Sequence, residues 1–233
     1  MRYFHRQMFA AIYEKEKRPV HHFIEMNESK FHELNKAGFG IYITPNSFEN
    51  NRRKENLIHL NAVFADLDIA KDEEHIHELE RERRKGMMID ALTRFCPPSV
   101  IIETKNGIQP WFYIDEESVD EETILKYKSI IGGIVDWSKE YGGYCDEVRD
   151  VTRLLRLPGY LHQKSDPYEI KELPGNDHVW VPDDLAEFFW RAETQFLVSD
   201  EVKASLQKSP LFDEIDKIPM KDILIRAGKV VGK

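Results

Sequence analysis

Two aspartates one residue apart, Asp66 and Asp68, stand in the stretch Asn61-Ala62-Val63-Phe64-Ala65-Asp66-Leu67-Asp68-Ile69. Side chains alternate across a strand, so Val63, Ala65, Leu67 and Ile69 point into a core while both carboxylates share the opposite face. Two ionised carboxylates about 7 Å apart repel each other and are costly beside a hydrophobic layer. A hard divalent cation resolves that conflict. Oxygen ligands suit Mg²⁺ or Mn²⁺, and two such ions roughly 4 Å apart can clamp the attacking and leaving oxygens of a phosphoryl transfer. The plain alternative is an edge strand whose solvated face carries acids.

Two further stretches carry groups of the same chemistry. In Glu103-Thr104-Lys105-Asn106-Gly107-Ile108-Gln109-Pro110-Trp111, a tight turn would bring backbone N–H groups and the Lys105 ammonium to one edge, where phosphate can be held. The other reading is a solvent-exposed hairpin tip. The run from Asp146 through Asp150, Arg153, Arg156 and His162 to Lys164 sets basic groups beside carboxylates, an arrangement that can hold a triphosphate against cations. With Thr152 to Leu157 as a strand, Arg153 would share a face with Leu155 and Leu157, and Arg156 would lie opposite. Ordinary surface ion pairs, each worth little, fit the same spacing.

The elements that must position these residues follow from pattern and punctuation. Residues 27–37 read as a helix stopped by Gly38. Gly40 to Thr44 reads as a strand ended by Pro45-Asn46, and Leu60 to Ile69 as a second strand. Lys71 to Phe95 is helical, with Gly86 as a breaking point. After Cys96-Pro97-Pro98, Ser99 to Glu103 and Trp111 to Ile114 form a hairpin. Its Asn106-Gly107 turn signal implies positive φ at both central positions. Val119 to Tyr141 is a helix, Thr152 to Leu157 and Tyr168 to Leu173 are strands, and Pro182 to Phe196 is a helix with Asp183 and Asp184 near its positive end. Mixed elements with a hairpin mid-chain predict an α+β fold. From about Val198 the character turns to polar helix, and an element opening at Ile218 stops soon after, at Lys233. That predicts a longer parent protein.

Bulk properties set bounds on function. The 233 residues are 41% hydrophobic, 11% aromatic and 32% charged, enough for a sizeable core in a soluble protein. No apolar run approaches the roughly 20 residues that span a bilayer, and the N-terminus lacks a signal-peptide pattern. No membrane role is expected. Cys96 and Cys145, without CxxC spacing, imply buried thiols in a reducing, intracellular (cytoplasmic) setting. The net charge of −9 weighs against a diffuse basic footprint for nucleic acid, but the bases cluster: Arg52, Arg53 and Lys54 form one knot, and Arg149, Arg153, Arg156 and Lys164 another. His75 and His77, two apart on a helix, do not share a face and read as surface histidines. Trp180, Phe188, Phe189 and Trp190 could stack bases, but their spacing is that of core residues.

Taken in order, the three stretches resemble the archaeo-eukaryotic primase superfamily, especially phage and plasmid primase-polymerases with RepB-like primase domains. The similarity runs from about Phe31 to Lys164 and includes Gly38 to Asn46. Its most specific part is Asp150-x-x-Arg153-x-x-Arg156-Leu157-Pro158-Gly159-x-x-x-x-Lys164. The resemblance implies an α+β, RRM-like core with a mixed or antiparallel sheet flanked by helices, over residues 1–197, with 198–233 as a helical extension or linker. It implies template-directed nucleotidyl transfer from NTPs or dNTPs on single-stranded DNA in replication, with a helicase as a further partner. Asp66, Asp68 and Asp150 would hold two Mg²⁺ or Mn²⁺ ions, with Asp146 the competing third carboxylate. Lys105, Asn106, Gly107, Gln109, Arg153, Arg156, His162 and Lys164 would form the nucleotide pocket. The chain departs from the family at Gln109, where a histidine is usual, and at His162, where an asparagine is usual. Glutamine can donate to phosphate but carries no charge. The rival readings are a metal-dependent nuclease and a catalytically silent primase-like module that recognises an origin or recruits a helicase.

Overall fold

The structure, a computed structural model, describes residues 1–16, 21–69, 76–117, 119–145 and 150–190, all within one unit, Met1–Glu193. The expected extension 198–233 lies outside them.

The chain opens with two strands that sequence pattern did not single out, β1 (Gln7–Ile12) and β2 (His21–Ile24), followed by α1 (Glu28–Lys36). Asn27 caps α1 by accepting from the Lys30 N–H at 3.0 Å, and Gly38 ends it at φ +94°. Then come β3 (Gly40–Phe48), β4 (Leu57–Phe64), β5 (Leu67–Ile69) and α2 (Glu78–Phe95). The strand β3 runs on through Pro45, which was expected to end it, and α2 runs through Gly86 without a break. Residues 71–75 of the expected helix lie outside the described residues.

The hairpin is β6 (Val100–Glu103) and β7 (Gly107–Glu117), longer than its expected second strand. Next, α3 (Glu121–Ser138) starts at Asp120, whose carboxylate accepts from the Thr123 N–H at 2.8 Å. Short strands complete the chain: β8 (Gly143–Tyr144), β9 (Leu155–Arg156), β10 (Leu161–His162), β11 (Tyr168–Glu169), β12 (Lys171–Leu173) and β13 (Val179–Trp180), before α4 (Pro182–Phe188). The strand expected over Thr152 to Leu157 is therefore confined to two residues.

The main sheet runs β12-β6-β7-β4-β3-β1-β2, with β5, β8, β9 and β13 attached at its sides. Its pairings are antiparallel except β13 beside β7, so the sheet is mixed. Its core is continuous with α1, α2 and α3: Phe31, Met88, Leu92, Ile130, Ile131 and Ile134 are buried against Ile43, Val63, Ile102 and Phe112. Tyr127 of α3 donates to the Ala62 carbonyl at 2.7 Å, tying helix to sheet just upstream of Asp66. Cys96 is buried, and burial alone pushes its thiol up to about 12, as expected of an inert core cysteine. Of the aromatic quartet, Phe189 is core, whereas Phe188 and Trp190 are exposed.

Candidate active site

The single strand expected over Leu60 to Ile69 is two strands. Pro110 explains the interruption. It lies across from Ala65, whose N–H donates to the Pro110 carbonyl at 3.3 Å, but proline has no N–H to return. The register on either side, Phe64 opposite Trp111 and Leu67 opposite Ile108, sets Asp66 opposite Gln109. Alternation survives the break: Ala65, Leu67 and Ile69 are buried, and Asp66 and Asp68 are half-buried.

The turn between β6 and β7 is closed by the Thr104 N–H donating to Gly107 O at 2.9 Å and the Gly107 N–H donating to Thr104 Oγ1 at 3.1 Å. Neither Asn106 nor Gly107 has positive φ, which corrects the expected turn geometry. Glycine is required at 107 for a different reason. A Cβ there would lie 1.8 Å from the Leu67 carbonyl oxygen, because the turn packs directly on the strand carrying the aspartates. Ile69 donates to Asn106 O at 2.8 Å, fastening the other end of that strand. Behind the turn lies Lys85 of α2, 1% exposed, donating to Glu82 at 2.7 Å, to Glu103 at 3.1 Å and to the Thr104 carbonyl at 3.1 Å.

A cavity of about 270 Å³ opens at this junction. It is lined by Asp66, Asp68, Lys105, Asn106, Gln109, Arg153, Arg156, His162 and Lys164 from the expected set, and by Tyr42, Thr104 and Leu154. Three stretches far apart in sequence are thus brought together. Gly107 does not line the cavity but packs on the Leu67–Asp68 backbone. Arg153 and Arg156 both reach it, although strand alternation placed them on opposite faces; because β9 begins only at Leu155, Arg153 belongs to the preceding turn, where its N–H donates to Asp150 O at 3.0 Å.

Asp150 departs from expectation. It is exposed and absent from the cavity lining. Its carboxylate accepts from the Thr152 N–H at 2.9 Å and from Thr152 Oγ1 at 2.8 Å, a local Asx-type turn. Asp146 lies outside the described residues. Among the described residues no group of three His, Cys, Asp or Glu side chains is placed to hold a metal ion. The oxygen pair Asp66 and Asp68 is a donor set suited to one hard cation that fills its other positions with water and phosphate, the usual habit of Mg²⁺.

Asp66 is held on both oxygens. Gln109 Nε2 donates to Oδ1 at 3.0 Å, and Arg153 Nη2 lies 3.4 Å from Oδ2. The Gln109 amide nitrogen is therefore committed to a carboxylate, and its Oε1, buried, has no hydrogen-bond partner among the described residues.

A second corner of the cavity was invisible to sequence reasoning. Glu14, just past β1, accepts from Arg156 Nη2 at 2.8 Å and Nη1 at 3.2 Å, and also from the Tyr42 hydroxyl. The Arg156 guanidinium lies 5.0 Å from the centre of the Tyr42 ring. Burial pushes the Glu14 carboxyl up, but hydrogen bonds and charge from Arg156 outweigh it and the net shift is downward. His162, buried beside this corner, has neither ring nitrogen hydrogen-bonded among the described residues. Burial first, then the Arg156 charge with Lys105 and Lys164, holds it down at about 4 against Glu14's opposing pull, so it is neutral at pH 7. Position 162 is fixed from α1: Asn35 Oδ1 accepts from the Leu161 N–H at 2.9 Å, and Gln163 Nε2 donates to Asn35 O at 2.9 Å.

The lining sets the bases Lys105, Arg153, Arg156 and Lys164 beside the acids Asp66 and Asp68, with Arg156 paired to Glu14. Lys105 Nζ also donates to Ser165 Oγ at 2.9 Å, which joins the turn to the Lys164 loop.

The mixed sheet with helices packed on it matches the fold of a known primase-type domain. Among solved structures, the chain is similar to the archaeo-eukaryotic primase domain of the primase-polymerase of cyanophage S-2L, with a TM-score of 0.57 at 14% identity over 78% of this chain and 88% of that one. The catalytic domain of primase RepB′ in complex with initiator DNA matches with a TM-score of 0.49 at 11% identity, over 88% of this chain and 91% of that one. In sequence, the chain is 28% identical over 134 residues to a replication protein of Clostridium perfringens, a stretch that is 57% of this chain and 32% of that protein. The chain thus spans about a third of the length of the curated relative it matches. No protein-family model matches it. No helix among the described residues is long and apolar enough to cross a membrane.

Proposed function

We propose that the chain is the nucleotidyl-transfer domain of a primase-polymerase. Residues 1–197 would form the catalytic part, with 198–233 as a helical extension or a linker. The observation that carries this reading is the meeting of Asp66 and Asp68 with Arg153, Lys105 and Lys164 on one cavity, in a chain with a primase fold. Asp66 and Asp68 would hold Mg²⁺ or Mn²⁺, which when bound supplies charge neutralisation at the reacting phosphate. Arg153, Lys105 and Lys164 take oxygens of the incoming NTP or dNTP, and neutral His162 borders the same pocket. Arg156, locked to Glu14, shapes the floor. Attack by a 3′-hydroxyl on a single-stranded DNA template forms the new phosphodiester and releases pyrophosphate. A helicase would supply that template.

One observation favours a second reading. With Asp150 turned onto Thr152 and Gln109 committed to Asp66, the site suits a module that binds nucleotide or DNA without turnover. Incorporation of labelled nucleotide on a primed template, in Mg²⁺ and then Mn²⁺, separates the readings. Extension that is lost in Asp66→Asn supports polymerase chemistry. Nucleotide binding without extension supports the silent module, and DNA cleavage independent of triphosphate makes the site a nuclease.

A further inference from the structure

Resting on that reading of the cavity, we infer that Arg153 is the resident counter-ion of Asp66, standing where a divalent cation would neutralise it, and that it leaves this carboxylate to take a polyphosphate. Cation and triphosphate therefore assist each other's binding through one guanidinium.

Three features of the site lead there. The Arg153–Asp66 contact is a single, long approach of 3.4 Å between side chains each 31% exposed, whereas the neighbouring Arg156 makes two hydrogen bonds to Glu14 with exposures of 14% and 10%. Planar guanidinium and carboxylate pair best through two parallel bonds, so the Arg153 contact is the weak kind that a better partner displaces. Second, Asp66 keeps its other oxygen on Gln109 at 3.0 Å, so it stays oriented when Arg153 departs. Gln109 is thus a positioning residue for Asp66. Third, Arg153 comes from the turn ahead of β9, anchored by its backbone: Asn46 Nδ2 donates to Val151 O at 2.8 Å and Arg52 Nη1 to Thr152 O at 2.6 Å. With the backbone so held, only the long side chain has to move, and Lys164 lines the same cavity.

The coupling has a definite sign. A guanidinium on Asp66 opposes a divalent cation twice, by occupying the oxygen and by like-charge repulsion. A triphosphate that attracts Arg153 removes both obstacles. Deleting the guanidinium must then have opposite effects on the two ligands, an outcome that general damage to the site does not produce.

The test is Mn²⁺ binding by electron paramagnetic resonance, alongside binding of a nucleoside triphosphate in EDTA, for the wild-type chain, Arg153→Gln, Arg153→Lys, Asp66→Asn and Asp68→Asn. Arg153→Gln is expected to bind Mn²⁺ roughly fivefold tighter and the metal-free triphosphate roughly fivefold weaker, the scale of a partly exposed ion pair. Arg153→Lys is expected to stay near wild type on both. Mn²⁺ affinity unchanged or weakened in Arg153→Gln overturns the counter-ion role while leaving the cation site standing. Mn²⁺ bound equally by wild type, Asp66→Asn and Asp68→Asn overturns the cation site itself, and the inference with it.

Discussion

Arg153 and Arg156 lie three residues apart and reach the same cavity, but the corners they belong to are built differently. At the Arg156 corner every charge is answered: Glu14 takes two guanidinium hydrogen bonds and the Tyr42 hydroxyl, and the Tyr42 ring backs the cation. At the Asp66 corner the arginine contact is single and long, and Gln109 Oε1 is without a partner among the described residues. A pair removed from water must be well satisfied within the protein or it costs more than it gives. The first corner meets that condition internally. The second is set up to meet it with a ligand. The difference separates scaffold from working site within one cavity, although the residue types are the same.

The most damaging way to break the comparison is Glu14→Gln. It strands a largely buried guanidinium, and about 4 kcal/mol of stability should disappear in denaturant unfolding at neutral pH. Because the Glu14 carboxyl is held below its usual range, its contribution is complete above the ordinary carboxylate pKa and is lost as pH falls through the lowered one. The gap between wild type and variant should therefore close in strong acid. A constant gap would mean that Arg156 is not held by charge.

His162 sharpens the contrast from the other side. Its folded pKa of about 4 lies below the ordinary 6.5, so the unfolded chain takes up a proton first on acidification. Stability present above pH 6.5 is lost as pH falls from 6.5 toward 4, by up to ~3 kcal/mol at ~1.4 kcal/mol per unit. His162→Asn should flatten that part of the stability profile. Parallel profiles would place solvent at the imidazole. Gly107→Ala comes next, since its Cβ meets the Leu67 carbonyl. We expect about 2 kcal/mol of destabilisation from the forced shift, together with weaker Mn²⁺ binding at Asp66 and Asp68, read by thermal unfolding and by titration. Smallest is the stability effect of Arg153→Gln, below about 1 kcal/mol for so exposed a pair. A large loss there would make Arg153 scaffold, like its neighbour.

How far sequence reached is clear from the same residues. Alternation placed Asp66 and Asp68 opposite Leu67 and Ile69, as the structure has them, because a period of two holds wherever one face is buried. Pro110 carried the information that the strand is interrupted, but its effect is exerted on a different strand and appears only once the register is known. That register also pairs Asp66 with Gln109 across two strands, a contact no local pattern encodes. Asn106-Gly107 signalled a turn correctly, but for a geometry it does not adopt: the glycine answers a close approach by Leu67, a tertiary fact. The strand β1 was legible in principle as the apolar run Met8 to Ile12, bounded by polar residues. Glu14 was not, since its partner lies 142 positions along the chain and nothing in spacing joins them. Asp150 was placed by motif order, and its own Asx turn with Thr152 takes its carboxylate elsewhere.

Diffraction at the manganese absorption edge, from crystals grown with Mn²⁺ and a non-hydrolysable nucleoside triphosphate analogue, puts the account to its most direct trial. It predicts an anomalous peak beside Asp66 and Asp68, with the triphosphate in the same cavity near Arg153 and Lys164 and the Arg153–Asp66 contact broken. Manganese bound away from both aspartates, or a triphosphate seated outside this cavity, would contradict it.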